Sequence, residues 1–455
     1  MFVNRQKELQ LLQEEYYTDG FRFSVIYGRR RVGKTTLIKE YISNKPYIYL
    51  LSTLEPLNII IQRFQHLVAD FFNDEFLKNI KLTTLEDIFK YISNKNFDKK
   101  LIIVIDEFQY LGKVEKSTPS QFQYIIDEIL RYQNIHLILC GSIISMMYEQ
   151  TLSYSSPLYG RRTSSIKLNA LEFNYLRYFF PQKTENELIE LYAILYGVPK
   201  YLELFKDKSD IFQAIEQNIL DKNSFLYEEP RFILQNEVNE PMTYFTILEA
   251  IAHGEHKLGN IAGRVNKNVQ NITSFISKLI ELDIIYKDVP ITEINPNKSK
   301  KGLYFIKDNF FRFWFAYILP YKSQLEIGNT SYAMKKIQEN FIGFVAKVYE
   351  ELSIHYTLQN YPLLKAGRWW NKNTEIDVVG VSEDFLLVGE CKYSNKKVGI
   401  DILQELEIKS QKIELKLPIK YYLLFSKSGF TKELIDISNQ REDLILIKHL
   451  GVQSI

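Results

Sequence analysis

Gly28-Arg29-Arg30-Arg31-Val32-Gly33-Lys34-Thr35, followed by Thr36, has the spacing of a phosphate-cradling loop. Its two glycines let the backbone curl so that successive N–H groups face one anion. Lys34 is placed to reach the β- and γ-phosphates of ATP, and Thr35 to hold Mg²⁺. Such a loop needs a strand before it and a helix after it, and Phe23–Tyr27 and Lys34–Ile42 read as that pair. Gly28, Arg29, Arg30, Arg31, Val32, Gly33, Lys34, Thr35 and Thr36 are therefore the expected nucleotide contacts. The run Leu101–Asp106, with Glu107 after it, reads as a buried strand ending in acid. Asp106 is expected to bind Mg²⁺ directly or through water, and Glu107 to orient and activate a water for hydrolysis. Ser142 follows the strand His136–Cys140, at the C-terminal sheet edge where ligands bind in open α/β folds, and is expected to sense the γ-phosphate. Arg161 and Arg162 are candidates for stabilising transition-state charge, in cis or from a neighbouring copy. A surface ion pair is an equal account of each. Asn4, Arg5 and Glu8 are placed to line an adenine pocket, or Asn4 to cap the following helix.

A second set of acids lies near the C-terminus. Glu375-Ile376-Asp377-Val378-Val379-Gly380 and Phe385-Leu386-Leu387-Val388-Gly389-Glu390-Cys391-Lys392 read as two strands joined by a short turn. A turn centred between Glu383 and Asp384 sets Asp377 opposite Glu390 and Glu375 opposite Lys392. Alternation then puts all four on one face. Burying unpaired acids is costly, so three carboxylates and a lysine there point to a task. Asp377 and Glu390 are candidate Mg²⁺ ligands, and Lys392 a candidate for orienting a nucleophile at a phosphodiester. Cross-strand ion pairing is the alternative.

These residues need elements to hold them. Residues 21–170 alternate Ile/Val-rich runs with helical stretches, the pattern of a parallel sheet covered on both faces. The strands are expected at Phe23–Tyr27, Tyr47–Leu51, Leu101–Asp106, His136–Cys140 and Ser165–Leu168. Residues 171–235 read as mostly helical. Leu258–Arg264 and Val269–Leu282 resemble a helix-turn-helix, with wing strands at Ile284–Lys287 and Gly302–Ile306 around the loop Pro290–Lys301. Residues 257–312 hold ten Lys/Arg against five Asp/Glu, whereas the whole chain of 455 residues carries only +2. Nucleic acid, as DNA, is therefore expected to bind through residues 257–312 and the C-terminal region, weakly and with salt sensitivity. Phe310, Phe311, Phe313, Trp314 and Phe315 fit an internal core better than a stacking platform. The composition, 46% hydrophobic and 25% charged, excludes a largely disordered chain. Two distant cysteines, Cys140 and Cys391, exclude a disulfide framework and suit a reducing cytoplasm. No apolar leader opens the chain, and Phe310–Pro320 is too short to span a bilayer, so no membrane association is expected.

Phe2-Val3-Asn4-Arg5 with Glu8-Leu9, the glycine-rich loop, Asp106-Glu107-Phe108-Gln109, Cys140-Gly141-Ser142, Leu158-Tyr159-Gly160-Arg161-Arg162 and Gly197-Val198-Pro199 occur in order. Over residues 1–235 the chain resembles the archaeal-type P-loop ATPases of the AAA+/STAND-related group. The resemblance implies a five-stranded core sheet, a helical lid, Mg-ATP use, and Pro199 in the lid near the base. Asn4 departs from it, where a glycine or an acid is expected. The C-terminal segment resembles the PD-(D/E)xK nuclease fold. Asp377 matches its first acid, Glu390-Cys391-Lys392 its (D/E)xK element, and Glu350 or Glu351 the acid supplied by the preceding helix. Gln404 would support the site, and Ile376 replaces the motif proline. The implied organisation is a P-loop ATPase core (1–170), a helical lid (171–238), a winged-helix region (239–330) and a restriction-endonuclease-like α/β domain (331–455). Two functions follow as expectations. One is an ATPase coupled to DNA processing or defence, with a metal-dependent nuclease-like domain and homo-oligomers where an arginine acts in trans. The other is a slow ATP-dependent switch whose C-terminal domain only binds DNA or protein.

Overall fold

The computed structural model describes residues 3–208 and 210–451; Phe2 of the N-terminal motif lies outside them. The chain forms two compact units, 1–171 with 198–200, and 172–197 with 201–455.

The first unit is built on a five-stranded parallel sheet. Its strands are β1 (Arg22–Tyr27), β2 (Tyr47–Leu51), β3 (Leu101–Asp106), β4 (Ile135–Gly141) and β5 (Ser164–Lys167), in the order β2-β3-β4-β1-β5. Every residue of β3 and β4 is buried, as the unbroken apolar runs require. Alternation splits them between two cores. Ile103 and Ile105 pack with Leu137 and Leu139 against the helices Leu57–Phe72 and Leu85–Ser93. Ile102 and Val104 pack with Ile138 against Leu37 and Ile38 of the helix Lys34–Ile42. Each such buried aliphatic side chain contributes about 1.5–3 kcal/mol, so the strand ends are carried on a rigid base.

One polar chain crosses this sheet. The Ser24 hydroxyl lies 2.7 Å from both Ser164 Oγ and His136 Nε2, and Tyr41 Oη lies 2.7 Å from His136 Nδ1. His136 is fully buried, and burial, with Lys100 and Arg22 adding repulsion, pushes its imidazole down to about 3.

In the second unit, helices Pro241–Ala252, Leu258–Arg264 and Val269–Glu281 precede an antiparallel hairpin of β6 (Ile285–Asp288) and β7 (Leu303–Ile306). The aromatic helix Asn309–Tyr317 is interior. Tyr201 meets Phe310 at 4.8 Å between ring centres, and Trp314 Nε1 donates to the Tyr227 carbonyl at 2.6 Å. The long helix Thr330–Asn360 runs for 31 residues. It packs on a mixed sheet of β8 (Lys365–Trp370), β9 (Glu375–Val381), β10 (Leu386–Lys392), β11 (Ile419–Ser426) and β12 (Leu444–Ile447), in the order β12-β11-β10-β9-β8. β9 is antiparallel to both of its neighbours, β8 and β10, while β10, β11 and β12 are parallel.

Candidate functional site

The loop between β1 and the helix Lys34–Ile42 is held by close backbone approaches. Gly28 (φ +153°) lies so near β5 that a Cβ there would sit 2.3 Å from the Leu168 carbonyl oxygen. Gly33 takes the left-handed conformation (φ +99°) at the helix N-cap. A residue with a Cβ is disfavoured there. Arg5, nearly buried, fixes the loop from below by donating to the carbonyls of Val32 at 3.2 Å and Asn169 at 2.6 Å. Asn4 Oδ1 accepts the Arg5 N–H at 2.8 Å instead of capping the helix. Lys34 is 6% exposed, and its ammonium donates to the carbonyls of Gly28 and Arg29, each at 2.8 Å. Burial pushes it below the ordinary lysine range. Arg30 donates to the Tyr110 hydroxyl at 2.8 Å, and Thr35 and Thr36 are exposed at the helix start.

Asp106 and Glu107 end β3 beside this loop. Thr35 Oγ1 donates to Asp106 Oδ2 at 3.3 Å, and the Glu107 N–H donates to Oδ1 at 2.9 Å. Tyr49, from β2, also donates to Oδ2. Glu107 holds a left-handed backbone (φ +54°), a costly state for a non-glycine residue that clusters at functional sites. Its Oε2 accepts from the Ser142 hydroxyl at 2.7 Å and from Gln109 Nε2. Ser142 therefore meets the expected catalytic acid directly. The two arginines divide. Arg161 is held by Asp127 through three contacts of 2.7–3.0 Å and by the Pro157 carbonyl. Arg162 lies over the Tyr159 ring at 5.8 Å with a buried Nη1 that has no hydrogen-bond partner. Pro199 opens the helix Pro199–Phe205, and Val198–Lys200 group with the first unit.

In the second unit, β9 and β10 adopt the expected register, from Leu386 opposite Val381 to Gly389 opposite Val378. The ladder stops one step short of the acids. There the Cys391 N–H donates to Asp377 Oδ2 at 2.9 Å, a side chain replacing a strand partner. Glu390 is 6% exposed. Its Oε1 accepts from Lys392 at 2.8 Å and Lys409 at 3.2 Å, while its buried Oε2 has no hydrogen-bond partner. Burial, with the Glu390 and Glu350 carboxylates nearby, pushes the Asp377 acid up. Glu350 instead pairs with Lys347 at 2.7 Å and Arg368 at 4.0 Å. Among the described residues no group of three or more His, Cys, Asp or Glu is placed to hold a metal ion. Asp377 and Glu390 thus come together without Glu350 as a third ligand. Glu375 pairs with Arg368 and not with Lys392, and Gln404 points outward.

Comparison with known proteins bears on these sites. A family described as an ATPase domain predominantly from Archaea matches residues 2–205. A second, described as archaeal and bacterial proteins of unknown function, matches residues 314–409. An uncharacterized protein of Methanocaldococcus jannaschii is 38% identical over 442 residues, covering 95% of this chain and 97% of that relative. The chain belongs to the same family as this relative, and its residues 2–205 match an archaeal ATPase domain. An uncharacterized ATP-binding protein of the same organism is 49% identical over 45 residues, 10% of this chain and 76% of its own. Among solved structures, a Walker-type ATPase of Pyrococcus abyssi aligns with a TM-score of 0.50 and 19% identity, over 69% of this chain and 96% of that one. That likeness is one of fold.

The ATPase also presents an exposed polar face. Arg264, Lys267, Gln270 and Asn271 are exposed around the start of helix Val269–Glu281, where Asn268 Oδ1 caps the Asn271 N–H at 2.9 Å. Lys298 and Lys300 are exposed on the β6–β7 loop. Lys301 is engaged by Glu293 at 2.6 Å, and Lys287 by loop carbonyls at 3.0–3.4 Å. The base of the loop joins the C-terminal sheet, with the Ile291 N–H donating to the Arg368 carbonyl at 2.9 Å. Among the described residues no helix is long and apolar enough to cross a membrane. Tyr49 and Lys409 are site residues without any motif in the sequence, whereas Gln109 ends the Asp106-Glu107-Phe108-Gln109 run with no role assigned from it. The one signal toward them was position, as each lies on an element next to an acid.

Proposed function

We propose that this ATPase hydrolyses Mg-ATP and uses its second unit to engage DNA and cut it. The observation that carries the first half is the meeting of Lys34, Thr35, Asp106, Glu107 and Ser142 at one sheet edge. The Thr35 hydroxyl and Asp106 carboxylate form an oxygen-only pair of the kind a hard divalent cation takes. Mg²⁺ held there would neutralise charge building on the phosphates. Lys34 exchanges its loop carbonyls for phosphate oxygens, and the loop N–H groups hold the rest. Glu107 accepts the proton of the attacking water, and Ser142 and Gln109 set where its carboxylate stands. Of the two arginines, Arg162 is the better placed to stabilise the transition state, in cis or across a homo-oligomer, because Arg161 is committed to Asp127.

The second half rests on Asp377 and Glu390. The orphaned, buried Glu390 Oε2 beside Asp377 suits a shared cation, which would activate water at a phosphodiester. The helix pair and hairpin would act as a winged helix that presents DNA. A slower role as a nucleotide-dependent switch is favoured by one observation: Glu107 is tied to two donors, so it must release before it can act as a base.

The test is a paired assay on the full chain. Lys34→Ala is expected to weaken ATP binding on the order of 10²-fold, as loss of charged hydrogen bonds does. Glu107→Gln should bind ATP normally and lower kcat about 10²–10⁴-fold. With Mn²⁺ or Mg²⁺ and DNA, Glu390→Ala should abolish cleavage. Cleavage undiminished in Glu390→Ala removes the nuclease assignment. Slow turnover that DNA does not stimulate favours the switch.

A further inference from the structure

Tyr49 belongs to no phosphate-binding motif, yet it touches the central acid of the nucleotide site. Its hydroxyl donates to Asp106 Oδ2, the oxygen that also accepts from Thr35. Asp106 Oδ1 accepts the Glu107 N–H. Asp106 is 4% exposed, so its rotamer is fixed by donors from three places: β2, the Lys34–Ile42 helix, and the turn after β3. β2 and β3 are parallel neighbours in which Tyr49 pairs with Val104 and Leu51 with Asp106. Tyr49 therefore sits two residues short of the sheet edge. Only a long side chain with a terminal donor reaches forward from there to the carboxylate.

We propose that Tyr49 is a positioning residue for the metal-binding carboxylate. It holds Asp106 in the orientation in which that carboxylate and the Thr35 hydroxyl together receive the cation of Mg-ATP. The proposal rests on the Mg-ATP reading. Outer partners of metal-binding carboxylates typically change metal affinity by about 10–100-fold. A residue that only packs the strand affects nucleotide binding equally with and without metal. A positioning residue affects only the metal-dependent part.

The experiment titrates the full chain with a fluorescent ATP analogue, once with Mg²⁺ and once with EDTA. Wild type, Tyr49→Phe and Asp106→Asn are compared. Phenylalanine keeps the ring and removes the donor. Affinity in EDTA should be unchanged in Tyr49→Phe, which also shows that the site is folded. The gain in affinity on adding Mg²⁺ should fall about tenfold. An unchanged gain overturns the proposal, leaving Tyr49 a packing residue. A larger gain also overturns it, because the hydroxyl would then compete with the cation. If wild type and Asp106→Asn show the same gain, the Mg-ATP reading itself fails and the Tyr49 assignment falls with it.

Discussion

At the scale of single residues, the nucleotide site depends on backbone as much as on charge. Gly28 shows this most sharply. Its Cα faces the Leu168 carbonyl so closely that one added methyl group meets backbone oxygen at 2.3 Å, and neither strand can move cheaply. Gly28→Ala is expected to cost about 1–3 kcal/mol of stability, the usual range for overpacking. It should also weaken ATP binding, because relief of the clash must displace the loop. Urea unfolding and nucleotide titration measure the two effects. A variant within about 0.5 kcal/mol of wild type, the usual spread for neutral surface changes, would mean that the loop is not pinned to β5. Residue spacing made the glycines, Lys34, Thr35 and the two acids legible. It could not show Tyr49 or Lys409. Each reaches its acid across the fold, and local spacing carries no information about where a long side chain ends up.

At the scale of elements, the parallel sheet has a pH-dependent weakness. His136 on β4 is locked neutral between Ser24 and Tyr41. Its folded value of about 3 lies below its unfolded value of 6.5. Between these values the unfolded chain binds the extra proton, so stability is full above about 6.5 and is lost as pH falls toward 3. His136→Gln, which cannot be protonated, should flatten that part of the profile. Chemical denaturation at several pH values from 4 to 7 tests it; an equally steep profile in the variant would place the acid sensitivity elsewhere. The strands of this sheet were legible because short, mostly apolar runs between helices admit one reading, and all five begin and end within one residue of expectation. β8 and β12 were not. In β8, Lys365, Gly367 and Arg368 interrupt the apolar pattern, and only Trp369 is buried. In β12 four residues carry the pairing, too few for a period to show. The acidic hairpin was legible down to its register because its turn and alternation agree.

At the scale of the whole molecule, the +2 charge hides a basic segment whose cations are partly spent on the fold. Lys278, Lys287, Lys301, Lys307 and Arg312 serve internal partners. Lys257, Arg264, Lys267, Lys298 and Lys300 are exposed. If these five meet phosphates, the logarithm of DNA affinity should fall with that of salt at a slope no steeper than about −4.5, at 0.9 per phosphate. Replacing Lys298 and Lys300 with alanine should reduce the slope by about two, and filter binding or anisotropy across a salt series measures it. An unchanged slope would remove the β6–β7 loop from the interface. The acid pair of the second unit has a corollary of another kind. An uncompensated buried oxygen on Glu390 penalises the folded state, and an ion that satisfies it adds stability by mass action, about 2.7 kcal/mol at a hundredfold excess over its dissociation constant. The unit would then be calibrated by its surroundings: firm where divalent cations are plentiful, looser where they are scarce, with no change in sequence.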